Sequence, residues 1–289
     1  MKKIIALALA LAANQSLCAG RLSAQEVTFA MLPQVSVEKM AAMWQPLLKQ
    51  LEKSTGLKFV QKYAKDFDEF TKMCQDGAVD FAYSNPVIYV QSAYKPKDRE
   101  AGHKAFAIAM TAKGSNDFYG LFVIRADNDK IKSLADIKGK KGWITGKTSA
   151  AGFIFQQAYA MDNGIDMWKD CQLTESPGNK QEKVVGSVLN KLADFGTVRN
   201  GMLEVMKDQV DVKQLRVLAE TPKYPAWVLS AGAGVKPETA EKVRKAFLNL
   251  PKAMLLSAQL PGKVEGFVPA KESDFDMLKK TLEKTGVPY

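Results

Sequence analysis

Apolar and polar positions alternate from Glu26 to Met31, with Val27, Phe29 and Met31 on one side, which predicts a strand. The period then changes. From Ser36, a candidate cap, Met40, Met43, Trp44, Leu47 and Leu51 recur at helical spacing to about Ser54, with Pro46 expected to kink the helix and Gly56 to end it. Lys58 to Tyr63 reads as a second strand. Phe67, Phe70 and Cys74 mark one face of a second helix ending near Gly77, and Val79 to Tyr83 forms a third strand. Ser84-Asn85-Pro86 opens another helix, with proline suited to its first position. Six alternating elements of this kind predict a mainly parallel sheet with helices on its faces.

Ala105 to Met110 and Phe118 to Ile124 are strand-like, separated by the turn residues 113–117. The second of these is expected to lead out of the first lobe. A short helical turn at 133–138, a strand at 141–145, a helix opened by the loop 146–152, a helix at 180–191, a strand at 194–197, a helix near 200–207 and a strand at 215–220 make a second β/α unit. After Pro222 and Pro225 come a strand at 227–230 and helices near 237–249, 251–256 and 273–285, assigned to the first lobe. The chain then crosses between lobes twice, near 120–126 and 219–226. The expected division is 25–120 plus 225–289 for lobe 1 and 121–224 for lobe 2.

Length agrees: 289 residues at about 150 per domain give two lobes. No apolar run approaches the ~20 residues that span a membrane. The first 24 residues stand apart. Lys2 and Lys3 precede an apolar run from Ile4 to Ala13, and cleavage is possible after Ala19 or Ala24, the pattern of a secretory signal peptide. The expected destination is the periplasm. Cys18 is not expected to carry a lipid, because Gln15 and Leu17 fit a lipidation motif poorly.

Removing residues 1–24 takes away Lys2, Lys3 and Arg21 and no acid, lowering the formal charge from +10 to +7. The lysines are scattered, with no basic block interleaved with aromatics, so no nucleic-acid partner is expected and only a weak bias toward anionic solutes remains. His103 is the only histidine, which excludes multi-histidine metal sites and argues against a histidine-based triad. Cys74 and Cys171 fit no redox or zinc spacing, and a bond between them would tie the two lobes together. No metal, cofactor or catalytic residue is expected.

Three loops lead from strands into helices: Tyr83-Ser84-Asn85-Pro86, the segment 146–152 and Ser176-Pro177-Gly178-Asn179-Lys180. Each helix start offers unpaired N–H groups and partial positive charge, a seat for an anion. Gly146-Lys147-Thr148 is not a phosphate-binding P-loop, because Lys141 occupies the position of its first glycine. Arg199, following a strand, is the candidate cleft charge. Among the aromatics, Tyr83 and Trp227 adjoin polar or proline-bearing loops.

These residues resemble a known family. Trp44 to Lys53 followed by Gly56, and Val79-Asp80-Phe81-Ala82-Tyr83-Ser84-Asn85-Pro86, are similar to the first helix and a strand-to-helix motif of the phosphonate/phosphite-binding periplasmic proteins of ABC transporters. Phe118 to Ile124 with Ile131 to Lys140 resembles its crossover, and Ser149-Ala150-Ala151-Gly152-Phe153 sits where the family has a Ser-Thr-Ser-Gly-Tyr/Phe loop. The resemblance implies an α/β, two-lobed periplasmic-binding-protein fold of type II, each lobe a mainly parallel sheet flanked by helices, with two crossover strands as hinge. It implies a monomer that hands a small anionic or polar solute to an ABC permease in the inner membrane. The same clamp could serve a membrane sensor, and an exported enzyme is a more remote alternative. The candidate ligand contacts are Tyr83, Ser84, Asn85, Phe118, Tyr119, Thr148, Ser149, Ala150, Asn179, Arg199 and Trp227. The departures matter: Ala150 and Ala151 replace hydroxyls, Asn179 a histidine, Phe118 a tyrosine, and Arg199 falls near a family acid. They argue against an aminoalkylphosphonate and favour a carboxylate over a sulfonate or phosphate ester.

Overall fold

The computed structural model describes residues 24–33, 35–93, 102–111, 115–260 and 263–289, so the expected export signal up to residue 23, with Cys18, lies outside it. The chain opens as β1 (Glu26–Met31), α1 (Val37–Thr55), β2 (Lys58–Lys62), α2 (Phe67–Gln75), β3 (Phe81–Ser84) and α3 (Pro86–Ala93). Ser36 caps α1 through its hydroxyl, and Gly56 closes it. The helix continues through Pro46 and buries Trp44, Leu47 and Leu51. The Trp44 indole N–H finds Met31 Sδ at 2.8 Å, so the buried ring leaves no polar atom stranded.

Next come β4 (Lys104–Met110), a two-residue strand β5 (Asp117–Phe118), β6 (Gly120–Arg125) and β7 (Lys141–Ile144). A helical turn at Ala150–Ile154 runs into α4 (Phe155–Asp162), followed by α5 (Met167–Asp170), β8 (Gln172–Glu175), α6 (Gln181–Leu189), β9 (Phe195–Arg199), α7 (Met202–Met206) and β10 (Leu215–Glu220). The chain ends with β11 (Tyr224–Pro225), β12 (Val228–Ala231), α8 (Pro237–Leu248), α9 (Lys252–Ser257), β13 (Gly266–Pro269) and α10 (Asp276–Thr285).

The strands form a six-stranded sheet, β13-β4-β12-β3-β1-β2, and a five-stranded sheet, β10-β6-β9-β7-β8. Parallel pairing is confined to β3-β1-β2 and β9-β7-β8. The remaining pairs are antiparallel, because β12 and β6 run back into their sheets from the crossings. Strand β6 is apolar from Leu121 to Ile124 since both faces are covered there. Leu121 and Val123 meet Val184, Val185 and Val188 on one face, while Phe122 and Ile124 join Ile144, Phe153 and Phe195 on the other.

Two strands escape sequence patterning. In β8 no residue is buried, and β13 buries one of four and ends in Pro269; both are edge strands without apolar alternation. The single strand expected over 118–124 is divided. Phe118 belongs to β5, which pairs only with β11, and Gly120 starts β6 in the second sheet. The chain therefore changes sheets between residues 118 and 120 and again between 220 and 224.

The two sheets meet at this ribbon. Phe155 stacks on Tyr224, with ring centroids 3.9 Å apart, and sits edge-on to Phe118 at 5.7 Å. The Tyr224 hydroxyl bonds Thr281 of α10 at 3.0 Å, and Lys284 of α10 pairs with Asp162 at the end of α4. One apolar cluster accordingly mixes Val87, Tyr89 and Val90 of α3, Ala150, Ala151 and Ile154 of the helical turn, and Leu278 and Leu282 of α10. Cys74 lies in the core of the six-stranded sheet and Cys171 beside the other; both are free thiols.

His103 is buried with both ring nitrogens engaged: Val79 O lies 3.1 Å from Nε2 and Ser230 Oγ 3.0 Å from Nδ1. A carbonyl only accepts, so Nε2 carries a proton, and in the neutral ring Nδ1 accepts from the Ser230 hydroxyl. Burial lowers its pKa to about 4. An unfolded histidine takes a proton near pH 6.5, so between there and pH 4 the unfolded state binds the proton that the folded state refuses. Stability should be fully present above about pH 6.5 and fall by up to roughly 3 kcal/mol as the pH approaches 4. Urea titrations across this window measure the loss, and His103→Gln should flatten that part of the pH profile.

Candidate functional site

Strands β8, β7 and β9 run parallel and end together, at Glu175, Ile144 and Arg199. In open α/β sheets the carboxyl ends of such strands are where ligands sit. After β7 the chain turns, with Ser149 N–H donating to Gly146 O at 3.0 Å, and then enters the helical turn. Phe153 and Ile154 N–H both donate to Ser149 O, so the N–H groups of Ala150, Ala151 and Gly152 have no carbonyl one turn back. The turn is tied down from the sheet. Thr197 Oγ1 donates to Gly152 O at 2.6 Å, and Thr145 Oγ1 donates to Thr197 O at 3.3 Å. Gly152 is required here, because a Cβ would stand 2.4 Å from Thr145 Oγ1 and 2.5 Å from Ser149 Oγ. The Ser149 hydroxyl thus lies against the opening of the helix.

The loop after β8 reaches the same place. Asn179 adopts a left-handed conformation at φ 54°, and its carboxamide oxygen lies 2.3 Å from where a Cβ on Gly146 would be. Glu175 Oε2 accepts from Lys147 N–H at 3.2 Å, spending that acid on the loop backbone.

Arg199 ends β9. Alternation puts it on the face of Phe195 and Thr197, the face on which Thr197 holds Gly152. Among the described residues its only side-chain hydrogen bond runs from Nη1 to Asn200 O at 3.0 Å. Among the described residues no carboxylate lies within ion-pair distance of it. Burial lowers its pKa, although guanidinium stays charged. Arg199 is half-buried, and a partly desolvated cation without a counter-charge is favoured by an anion beside it.

The first-sheet residues are of another kind. Tyr83 is wholly buried, its ring centroid 5.1 Å from Trp44 and 5.0 Å from Trp227. Its hydroxyl has no partner among the described residues, and burial raises its pKa. Ser84 is buried beside Val228 in the sheet. Asn85 caps α3, its Oδ1 accepting from Ile88 N–H at 3.0 Å.

The structure thus gathers Ser149, Asn179 and Arg199 at one end of the five-stranded sheet, with Thr148 exposed beside them. It gathers Tyr83, Ser84, Asn85 and Trp227 around the end of β3. Phe118 and Tyr119 lie at the crossing, where Asn200 N–H donates to Tyr119 O at 2.9 Å and Tyr119 N–H donates to Asn200 Oδ1 at 3.3 Å. The methyl of Ala150 is buried in the apolar cluster, so what this residue can offer a ligand is its N–H. A surface hollow of about 360 Å³ lies elsewhere, beside the ribbon, lined by Asn116, Lys223, Lys271 and Asp274 among others. One residue that sequence patterning overlooks is Gln156. Its signal is a glutamine pair inside the apolar run 153–160, and both glutamines are buried. Among the described residues no histidine, cysteine or carboxylate cluster could hold a metal, and no helix is long and apolar enough to cross a membrane.

Residues 29–275 match the family model described as ABC transporter, phosphonate, periplasmic substrate-binding protein. The phosphate-import protein PhnD of Mycolicibacterium smegmatis is 25% identical over 91% of this chain and 86% of its own length. The phosphonates-binding periplasmic protein of Escherichia coli is 23% identical over 77% of this chain and 65% of its own. Among solved structures, a binding-protein component of an ABC phosphonate transporter from Pseudomonas aeruginosa superposes with a TM-score of 0.70 at 20% identity, covering 91% of this chain and 88% of that one. Matched along most of its length and folded as two mixed sheets joined by a double crossing, the chain belongs to the phosphonate periplasmic substrate-binding protein family of ABC transporters.

Proposed function

We propose that this protein captures a small anionic solute in the periplasm, between lobes formed by residues 25–120 with 225–289 and by 121–224. It then delivers the solute as a monomer to an ABC permease. The observation that carries the reading is Arg199, a crowded guanidinium without an acid partner among the described residues, at the strand ends that also open the 150–154 helical turn. The relatives named for phosphate and phosphonate support an anion. Their class of ligand is not carried over unchanged, because Ala150 and Ala151 offer no hydroxyls to tetrahedral oxygens. The residues left suit a planar anion. Arg199 can donate two parallel hydrogen bonds to a carboxylate, and the N–H groups of the helical turn supply further donors. An amine on the solute would be repelled by Arg199. The ligand contacts proposed are Tyr83, Ser84, Asn85, Phe118, Tyr119 and Trp227 on one side and Thr148, Ser149, the Ala150 N–H, Asn179 and Arg199 on the other. Closure about the ribbon would bring the two sets onto one solute. The protein binds its solute without converting it.

Calorimetry with short carboxylates, inorganic phosphate, methylphosphonate and 2-aminoethylphosphonate tests this. A carboxylate should bind best, and Arg199→Ala should weaken it by about 10- to 100-fold, the worth of charge-assisted hydrogen bonds. Sub-micromolar binding of 2-aminoethylphosphonate without response to carboxylates would overturn it.

Tyr83→Phe separates binding from stability. The hydroxyl has no partner to lose, so removing it should leave the folded state as stable or more stable by about 1 kcal/mol. If the hydroxyl meets the solute on closure, affinity falls in the same variant. Thermal unfolding with and without ligand reads both.

A further inference from the structure

Gln156 is wholly buried one turn into the helix that starts at the Ala150 turn. Its Nε2 lies 2.8 Å from Ala151 O, 3.1 Å from Val198 O and 3.3 Å from Leu121 O. Three carbonyls can only accept, so the nitrogen must face them, and the amide cannot flip. The carbonyls belong to three separate segments. Ala151 is in the helical turn, Val198 precedes Arg199, and Leu121 follows the point where the chain enters the second sheet. The amide oxygen has no partner among the described residues, although it is buried. A stranded acceptor is a cost, so packing alone does not explain the glutamine: an apolar side chain of equal length would fill the space without it. What only the amide supplies is a donor group at the junction of three backbones. Gly120 keeps room for it, since a Cβ there would lie 2.3 Å from the Gln156 amide carbon.

We propose that Gln156 is a positioning residue. It holds the helical turn, the strand bearing Arg199 and the exit from the ribbon in one register, and so sets the affinity of the anion seat. The second half rests on the proposed function; the first half does not. Phe155, its neighbour, stacks on Tyr224 of the ribbon, so the clasp and the crossing share one turn of helix.

Three variants test it: Gln156→Met, Gln156→Glu and Gly120→Ala, the last pushing on the amide without changing it. Hydrogen exchange of the unliganded proteins reads the clasp. Amides of 150–156 and 196–200 should exchange about tenfold faster in all three, with β1 to β3 unchanged. Calorimetry with inorganic phosphate and with succinate reads the seat, where Gln156→Met should lose about tenfold in affinity at every pH. Gln156→Glu places a carboxylate before three carbonyls, which raises its pKa, and only the protonated acid can donate. Its affinity relative to wild type should therefore recover at least about threefold from about pH 7.5 to about pH 5.5, while the Gln156→Met ratio stays flat. Exchange and affinity equal to wild type in all three variants would overturn the proposal, as would a Gln156→Glu ratio as flat as that of Gln156→Met. If exchange accelerates as stated but the wild type binds neither probe, the clasp stands and the reading of the seat fails.

Discussion

The stacking of Phe155 on Tyr224 is the contact on which the rest of this molecule depends. Among the described residues the chain passes between its two sheets at two places, and both passes are pinned by this one ring. A two-residue ribbon has too few hydrogen bonds to hold two sheets in a defined relation. Aromatic packing adds what the ribbon lacks, because a buried pair of rings contributes through area and through geometry. Since Phe155 starts α4, the second sheet's helix is fixed to the crossing itself. Since Tyr224 also bonds Thr281, the last helix, α10, is fixed there too.

Charge organises the other end of the helix. The chain is basic, yet most lysines that form ion pairs do so at the surface, where such pairs contribute little. Arg199 differs in being crowded by protein and without an ion-pair partner among the described residues. The nearby acid, Glu175, is occupied by the Lys147 amide and does not neutralise it. The strand ends of the second sheet therefore combine a cation, the free N–H groups of a helix start and the Ser149 hydroxyl, all of the sign that an anion needs.

Much of this was legible in the residues. The apolar periods of 26–31 and 40–51 gave strand and helix because their spacing is imposed by the burial of one face. A double crossing was expected near 120–126 and 219–226, and the changes of sheet fall between 118 and 120 and between 220 and 224. Phe118 to Ile124 is continuously apolar apart from Tyr119 and Gly120, and period alone does not divide such a run. The division comes from Gly120, where a side chain from a distant helix occupies the space of a Cβ. Edge strands β8 and β13 were invisible because they bury almost nothing. The role of Gln156 was equally hidden, since its partners are backbone carbonyls from three segments and backbone carbonyls leave no trace in sequence. Asn179 was visible as a loop residue, but its lying over Gly146 depends on a left-handed backbone that no pattern announces.

The order of strands has a consequence for how the protein is made. The five-stranded sheet uses one uninterrupted stretch, Gly120 to Glu220, whereas the six-stranded sheet needs β12 and β13 from the far end of the chain. A polypeptide emerging N-terminus first can complete the second unit while β1 to β4 still lack the central strand β12. The first unit closes last, across the greatest separation along the chain, and long-range pairing of this kind is slow. Until then the apolar faces of β3 and β4 stand open, so the interval between the emergence of Glu220 and that of Pro269 is when a newly exported chain is most exposed to aggregation and proteolysis.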